Sequence, residues 1–248
     1  MSVKSMPKWA DVLLVPLLSL IIAFAISALV ILAIGEDPVR AMQLMITGAL
    51  GSTYGWGYTL YFTTNFLLTG LGVSIAFQAK LFNIGGEGQA LIGGLGVALV
   101  CLYFPWPHWS LAILAAIAAS ALAGAAWAAI PAFLQAKRGS HIVITTIMFN
   151  FIAASVMNYL LSHVLRPPTS MDPATARFSD NVRLPRLHDI LDVVGIEFSR
   201  SGPANIMLFV ALLACVLGYI LMSRTRLGFE IRAFGQSEAG AHYAGISG

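Results

Sequence analysis

Charged residues are scarce in this chain of 248 residues, because Asp, Glu, Lys and Arg together make up 10% of it. An ordinary soluble domain carries about 25%, and hydrophobic residues reach 58% here. So few charges could not cover the surface of a folded domain in water. This excludes a soluble globular enzyme, a disordered chain and a secreted disulfide scaffold. The composition instead predicts an all-α, polytopic membrane protein.

Cysteine is nearly absent, and several motifs are missing altogether. Cys101 and Cys215 both lie in apolar runs, and their spacing fits neither a metal site nor a disulfide framework, so we expect two buried free thiols. The net charge is +3, but no block of Lys and Arg argues for a nucleic-acid partner. Without a Walker motif or a converging set of His, Asp or Glu, we expect no catalytic residue, metal or cofactor in this chain.

Six apolar runs have about the length that a helix needs to cross a bilayer, which is about 20 residues. They are residues 13–34, 61–79, 89–104, 111–135, 142–164 and 204–222. We therefore expect about six transmembrane helices in a single membrane domain spanning 1–248. After the first run, residues 39–49 are predicted to form a short interfacial helix, and the glycine-rich stretch 51–57 a loop.

The distribution of positive charge predicts that the N-terminus is cytoplasmic. In that orientation the cytoplasmic side carries Lys4, Lys8, Lys80, Lys137, Arg138, Arg224, Arg226 and Arg232. The opposite side carries Arg40 and the arginines of the long polar connection 165–203, where the positive-inside rule has less force. Residues 165–203 are therefore expected to be extracytoplasmic, and residues 223–246 to be cytoplasmic.

The segment 80–89, Lys-Leu-Phe-Asn-Ile-Gly-Gly-Glu-Gly-Gln, is predicted to interrupt the helices around residues 80–88. Its glycines favour an unwound backbone, and no charged residue follows Glu87 until Lys137. Broken helices at membrane depth are tolerated where their backbone lines a cavity, and they commonly bind substrate. The alternative is a short cytoplasmic turn with a solvated Glu87. A phosphate-binding loop does not fit, because the P-loop spacing is absent.

The polar tail is predicted to form two short helices. Leu227, Ile231 and Phe234 are spaced for one apolar helix face. Ser237 is a candidate N-cap for a second helix, which Gly245 would end. Such a pair either lies on anionic lipid or docks a cytoplasmic partner, and these residues alone leave both interpretations open.

Three segments resemble the permease subunits of bacterial nucleoside-type ABC transporters, which belong with the ribose and branched-chain amino-acid permeases. The segments are Phe-Asn-Ile-Gly-Gly-Glu-Gly-Gln at 82–89, the stretch 139–160, and the coupling-loop pattern spread over 226–246. The resemblance is collinear over essentially the whole chain. It departs at Ile142, where many members carry Glu, and at Gly240, where members usually carry Ala. Members also continue for several more helices, so the chain resembles the N-terminal part of such a permease.

The resemblance implies a subunit of an importer in the bacterial cytoplasmic (inner) membrane that moves a nucleoside-like solute. Its implied partners are an ATP-binding subunit, which would hold the ATP, a second permease subunit and an extracytoplasmic substrate-binding protein. The implied substrate-path residues are Phe82, Asn83, Gly85, Gly86, Glu87 and Gln89. The implied ATPase-coupling residues are Arg226, Gly228, Arg232, Gly235, Ala241 and Gly245.

Two alternatives remain beside this interpretation. The solute could be a simple sugar or a branched-chain amino acid, since the coupling loop is shared among these branches. A transporter of another class, driven by an ion gradient, would need further intramembrane carboxylates, and Glu87 is the one candidate. For Asn65, Asn150 and Asn158, which also lie within spans, we expect interhelical hydrogen bonds.

Overall fold

A computed structural model describes residues 10–246, in which the regular secondary structure is helical, with no strand. The α-helices are α1 (Val15–Ala33), α2 (Pro38–Leu50), α3 (Thr53–Gln78), α4 (Gly86–Tyr103), α5 (Trp109–Arg138), α6 (Ile142–Tyr159), α7 (Leu187–Asp192), α8 (Met207–Arg224), α9 (Arg226–Gln236) and α10 (Glu238–Tyr243). π-Helical turns at Ala10–Leu14 and Leu160–Val164 extend α1 and α6. Six of these helices are long and apolar enough to cross a membrane, which confirms the predicted fold class.

The helices form two groups that are joined by the segment before α4. In one group, α3 packs against α8 and α2, and in the other, α4 packs against α5 and α6. Although α3 and α4 are consecutive, they make little contact with each other. The connection between them is therefore a crossover between two helix groups and not the turn of a tight helical hairpin.

Small residues fill the contacts within each group. The fully buried apolar residues include Ala153 on α6 and Ala211 on α8. On α4, a Cβ added at Gly96 would lie 2.7 Å from the Ala119 carbonyl oxygen of α5. Close helix approach through small side chains is the usual packing mode in a bilayer, where hydrophobic burial gives no net driving force between helices.

The predicted loop at 51–57 is wrong, because α3 already begins at Thr53. Ser52 caps it by accepting a hydrogen bond from the Gly55 amide, with 3.1 Å between Oγ and N. The glycines that suggested a loop serve close packing instead. A Cβ at Gly55 would collide with the Gly48 carbonyl oxygen of α2, and one at Gly57 would lie 2.8 Å from the Gly202 Cα.

The polar connection 165–203 folds back onto the ends of α3 and α8. The amide of Leu187, a buried residue at the start of α7, donates to the Ala204 carbonyl at 2.8 Å. The Arg186 guanidinium donates to the Arg200 carbonyl at 2.9 Å. These bonds close the returning part of the connection on itself, and the Gly57–Gly202 contact places it against α3.

Gly57→Ala is expected to loosen this connection. The added methyl group meets main chain that cannot move aside by a rotamer change, and overpacking of this kind costs about 1–3 kcal/mol. We expect faster protease cleavage within 165–203 in the purified protein, with the sites mapped by mass spectrometry. Gly72→Ala is the control, because a Cβ at that position of α3 meets nothing within 4 Å. Equal cleavage of both variants would contradict the prediction.

Candidate functional site

The segment between α3 and α4 begins with a left-handed residue. α3 ends at Gln78, and Lys80 has a φ of +56°, which is uncommon for a residue with a side chain. The Leu81 amide reaches back to the Ala76 carbonyl at 3.1 Å and so closes the end of α3. The predicted interruption is thus present, but it is shorter than 80–88, because Gly86 already begins α4.

Asn83 and Asn150 together start α4. The Asn83 Oδ1 accepts a hydrogen bond from the Gly85 amide at 2.8 Å. α4 has no side-chain cap at Gly85, its own N-cap position. Instead, Asn150 of α6 accepts the Gly88 amide through Oδ1 at 2.9 Å and donates through Nδ2 to the Ile84 carbonyl at 2.9 Å. One amide side chain therefore caps α4 from a neighbouring helix. This confirms the interhelical hydrogen bonding expected for Asn150.

Two glycines allow this close approach between the segment and the α5–α6 pair. A Cβ at Gly88 would lie 3.0 Å from the Asn150 Oδ1 and 3.1 Å from the Trp127 Nε1, and one at Gly85 would lie 3.1 Å from the Thr146 Cβ. Both glycines are buried. They are needed for space and not for a left-handed turn, because neither has a positive φ.

The residues expected to line a substrate path divide between two sides of the segment. Phe82 and Glu87 are exposed. Asn83 and Gln89 are half-buried, and the Gln89 Nε2 lies 3.5 Å from the Asn83 Oδ1. Gly86 is half-buried, and a Cβ there meets nothing within 4 Å. Thus Asn83, Gly85 and Gln89 shape the segment, while Phe82, whose ring lies edge-on to Phe77 at 6.2 Å between centroids, and Glu87 lie on its exposed side.

The segment enters the bundle from the end where α9 lies. Lys80 contacts Gln236 at the end of α9, with 3.5 Å between Nζ and the Gln236 carbonyl oxygen. Gly88 lies beside Asn150, which is eight residues past Ile142, the first residue of α6. At 1.5 Å per residue this is about 12 Å along α6. The segment therefore begins at the end of the bundle where α9 lies. It reaches a depth of about two helical turns, measured along α6.

Gly228 and Gly235, two of the residues expected to couple to an ATPase, lie where α9 packs against two different helices. A Cβ at Gly228 would collide with the Leu221 carbonyl oxygen of α8. One at Gly235 would collide with the Gln78 carbonyl oxygen of α3. Both glycines are buried, and their spacing of seven residues puts them on one face of the helix. The predicted apolar face is thus only partly right, because Leu227 is exposed and the packed face is centred on glycine.

The remaining coupling residues lie around α9 and α10. The Arg226 Nε donates to the Glu230 Oε1 at 2.8 Å on the exposed side, and the Arg232 Nε donates to the Gly228 carbonyl at 3.3 Å. Ala241 is buried in α10. Gly245 has a φ of +78° just past α10, as expected for a residue that ends a helix.

The cap of the second short helix is also as predicted. The Ser237 Oγ accepts a hydrogen bond from the Gly240 amide at 3.1 Å and begins α10. A comparable cap at Thr225, which accepts from the Gly228 amide at 3.1 Å, begins α9. α9 and α10 are therefore two separately capped helices joined at Ser237.

Cavities open at both ends of the described bundle. One, of about 390 Å³, lies between α3 and α8 and is bounded by Arg232 of α9. Another, of about 500 Å³, lies between the C-terminal end of α4, the N-terminal end of α5 and the connection, with Phe178, Arg183 and Arg186 in its wall.

Lys4 and Lys8, which support the predicted orientation, lie outside the described residues.

Sequence patterns missed the two residues that hold the segment in place. Asn150 is recognisable as a polar residue within a span, but not as the cap of α4. The interhelical hydrogen bond expected for Asn65 is wrong, because its Nδ2 donates to the Tyr61 carbonyl of the same helix at 3.2 Å. Lys80 carries no signal of its left-handed backbone. An amide in a transmembrane run is the signal that points toward such a contact.

Comparison with known proteins places the chain among transport proteins. Residues 55–248 match the family described as branched-chain amino acid transport system / permease component. A guanosine ABC transporter permease protein of Bacillus subtilis is 37% identical over 95% of this chain and 65% of its own length. A glucose ABC transporter permease protein of Haloferax volcanii is 36% identical over 94% of this chain and 60% of its own length.

A nucleoside ABC transporter permease protein of Lactococcus lactis is 32% identical over 94% of this chain and 64% of its own length. The chain thus spans less than two thirds of the length of these relatives. No solved structure matches it significantly. The family consists of transport components, which confirms the expectation that the chain is not an enzyme. Together with its six candidate spans, the match makes this chain a multi-pass membrane protein that belongs to the permease-component family of ABC transport systems.

Proposed function

We propose that the chain is the membrane-spanning permease part of an ABC importer and that it moves a nucleoside-like solute. The observation that carries the proposal is the segment from Lys80 to Gln89. It crosses between the two helix groups, is held at one end by Asn150, and presents Phe82 and Glu87 on its exposed side. A broken helix connection of this kind is suited to line a route for a polar solute.

Each exposed residue has a role that its chemistry supports. The ring of Phe82, 53% exposed, can stack on a flat base. The Glu87 carboxylate, in the first turn of α4, can accept hydrogen bonds from sugar hydroxyls. Asn83 and Gln89 stabilise the backbone that carries Phe82 and Glu87, since their side chains contact the segment itself.

The proposed partners occupy the two ends of the bundle. With a cytoplasmic N-terminus, in the bacterial cytoplasmic membrane, residues 223–246 face an ATP-binding subunit and residues 165–203 an extracytoplasmic substrate-binding protein. A second permease subunit would complete the route. Arg226 on the exposed side of α9 is placed for contact with the ATPase, because its side chain remains 92% exposed despite its pair with Glu230.

A second candidate solute is a simple sugar. The glucose permease relative matches this chain at nearly the same identity and coverage as the guanosine permease relative. A sugar would use the carboxylate of Glu87 but would gain less from a stacking ring at Phe82. The effect of Phe82→Ala on uptake of each solute therefore discriminates between the two.

Uptake by cells carrying the complete transport system tests the proposal. We expect radiolabelled guanosine to accumulate, to require the ATP-binding subunit, and to be diluted by unlabelled nucleoside more strongly than by unlabelled glucose. The opposite order of competition would favour the sugar. Uptake that persists without the ATPase and collapses with an ionophore would support the ion-coupled transporter and overturn the proposal.

Glu87→Gln is expected to reduce uptake about tenfold. A hydrogen bond to a charged acceptor is worth about 1–1.5 kcal/mol more than one to a neutral acceptor, and 1.4 kcal/mol corresponds to a factor of ten. The change keeps the size of the side chain, so protein amount in the membrane should not fall. The measurement is the initial rate of uptake at several solute concentrations. An unchanged rate would remove Glu87 from any essential role.

A further inference from the structure

At the last turn of α3, α9 meets residues 79–85, which lead from α3 into the segment 80–89. A Cβ at Gly235 would collide with the Gln78 carbonyl oxygen and lie 3.0 Å from the Ala79 Cα. These are contacts between main-chain atoms, so neither side can yield by changing a rotamer. Any displacement of the end of α9 relative to the bundle must therefore move the end of α3 or break this contact.

Lys80 adds a second contact at the same place. Its ammonium reaches the Gln236 carbonyl at the C-terminus of α9, with 3.5 Å between Nζ and O. A cation is favoured there, because the carbonyls at a helix C-terminus carry partial negative charge. Its φ of +56° makes Lys80 the residue at which the chain direction changes from α3 into the segment.

The far end of the segment is fastened to the other helix group. Asn150 of α6 bonds the Ile84 carbonyl and the Gly88 amide, and α3 itself makes little contact with α4. Besides α10, α9 packs against α8, which itself packs against α3 in the same group. The contacts from α9 toward Phe82 therefore lead through the end of α3.

We propose that Gly235 and Lys80 are positioning residues that join α9 to residues 79–85, so that movement of α9 changes the position of Phe82 relative to Glu87, which Asn150 holds against α6. This inference rests on the proposed function, in which an ATP-hydrolysing subunit moves α9. The joint has two parts with different chemistry. Gly235 supplies a rigid backbone contact, and Lys80 supplies an ionic tether and the left-handed turn.

The test separates solute movement from ATP hydrolysis in the complete transporter reconstituted into vesicles. The variants are Gly235→Ala, Lys80→Gly and Lys80→Arg, with Gly72→Ala as a control at an open position of α3. Lys80→Gly accommodates the positive φ but removes the ammonium, whereas Lys80→Arg keeps a cation. The readouts are labelled guanosine and glucose uptake, ATP hydrolysis, and retention of the ATP-binding subunit on purification.

We expect Gly235→Ala to lower the solute moved per ATP hydrolysed by roughly tenfold, since overpacking there displaces the end of α3. Lys80→Gly should lower the same ratio by a smaller factor of about two to five, as for a partly exposed charge at a helix end, and Lys80→Arg should restore it. Retention of the ATP-binding subunit and the amount of protein should stay as in Gly72→Ala.

Normal solute movement per ATP hydrolysed in both Gly235→Ala and Lys80→Gly would overturn the inference that these residues join α9 to residues 79–85. So would equal impairment by Lys80→Gly and Lys80→Arg, because the tether would then have no role. Failure of the proposed function has a different signature, since the unaltered protein itself would then show no ATP-dependent uptake of either solute. If Gly235→Ala reduces the protein amount, the comparison of the two Lys80 variants still decides the inference.

Discussion

Asn150→Leu is expected to abolish solute uptake while the protein still inserts in the membrane. Leucine has a similar volume but neither accepts the Gly88 amide nor donates to the Ile84 carbonyl, the bonds that both measure 2.9 Å. Loss of a helix cap costs about 0.5–2 kcal/mol, and a buried amide left without a partner costs about 1–3 kcal/mol. That energy is enough to release the start of α4 and, with it, the position of Phe82 and Glu87.

Cysteine labelling provides a direct readout of this release. In a background with Cys101 and Cys215 replaced by alanine, Leu91→Cys, at a half-buried position one turn past Gly88 in α4, should react with a thiol reagent faster when Asn150 is leucine. Asn150→Asp keeps an acceptor for the Gly88 amide but loses the donor to Ile84, so we expect an intermediate loss of uptake. Asn158→Leu, at an exposed position of the same helix, is the matched control. Full uptake by Asn150→Leu would show that the segment needs no cap from α6.

Gly228→Val is expected to separate α9 from α8 and so to prevent stable association with the ATP-binding subunit. The Cβ would meet the Leu221 carbonyl oxygen and would lie 2.6 Å from the Met222 Cα, both of which are main chain of α8. Overpacking lowers stability by roughly 1–3 kcal/mol. We expect a loss near the upper end of this range, because no side chain can move aside at this contact. Co-purification of the ATPase with the membrane subunit measures the effect.

The control for this variant is Gly240→Ala in the neighbouring helix α10. There the added Cβ would lie 3.2 Å from the Oγ and 3.3 Å from the Cβ of Ser237, which is a close contact but not a collision with main chain. We expect the ATPase to be retained in this variant and lost in Gly228→Val. If both variants retain the ATPase, the packing of α9 against α8 does not determine ATPase binding.

The class of the protein and most of its helices follow from the sequence alone. The apolar runs predict all six spans, because a bilayer imposes a minimum length on every helix that crosses it. Local chemistry was equally informative at α10, where Ser237 caps the first turn and Gly245 takes a left-handed conformation. These features depend on neighbours along the chain, so no tertiary information is needed to predict them.

Glycine marks the limit of that reasoning. The composition of 51–57 predicts a loop, yet Gly55 and Gly57 lie within α3 and allow the close approach of α2 and the connection. The same ambiguity hides the role of Gly228 and Gly235. A glycine signals either a special backbone conformation or a missing side chain, and only the position of the facing element distinguishes the two.

Tertiary structure alone decided which elements meet at the segment 80–89. The sequence identified this segment and the residues within it, but not that Asn150 caps α4 from α6 or that α9 contacts the end of α3 beside Lys80. The pairing of α3 with α8, rather than with α4, is likewise absent from the local pattern. Such contacts join residues 62 to 156 positions apart, and they depend on how small residues let particular helices approach, which periodicity does not encode.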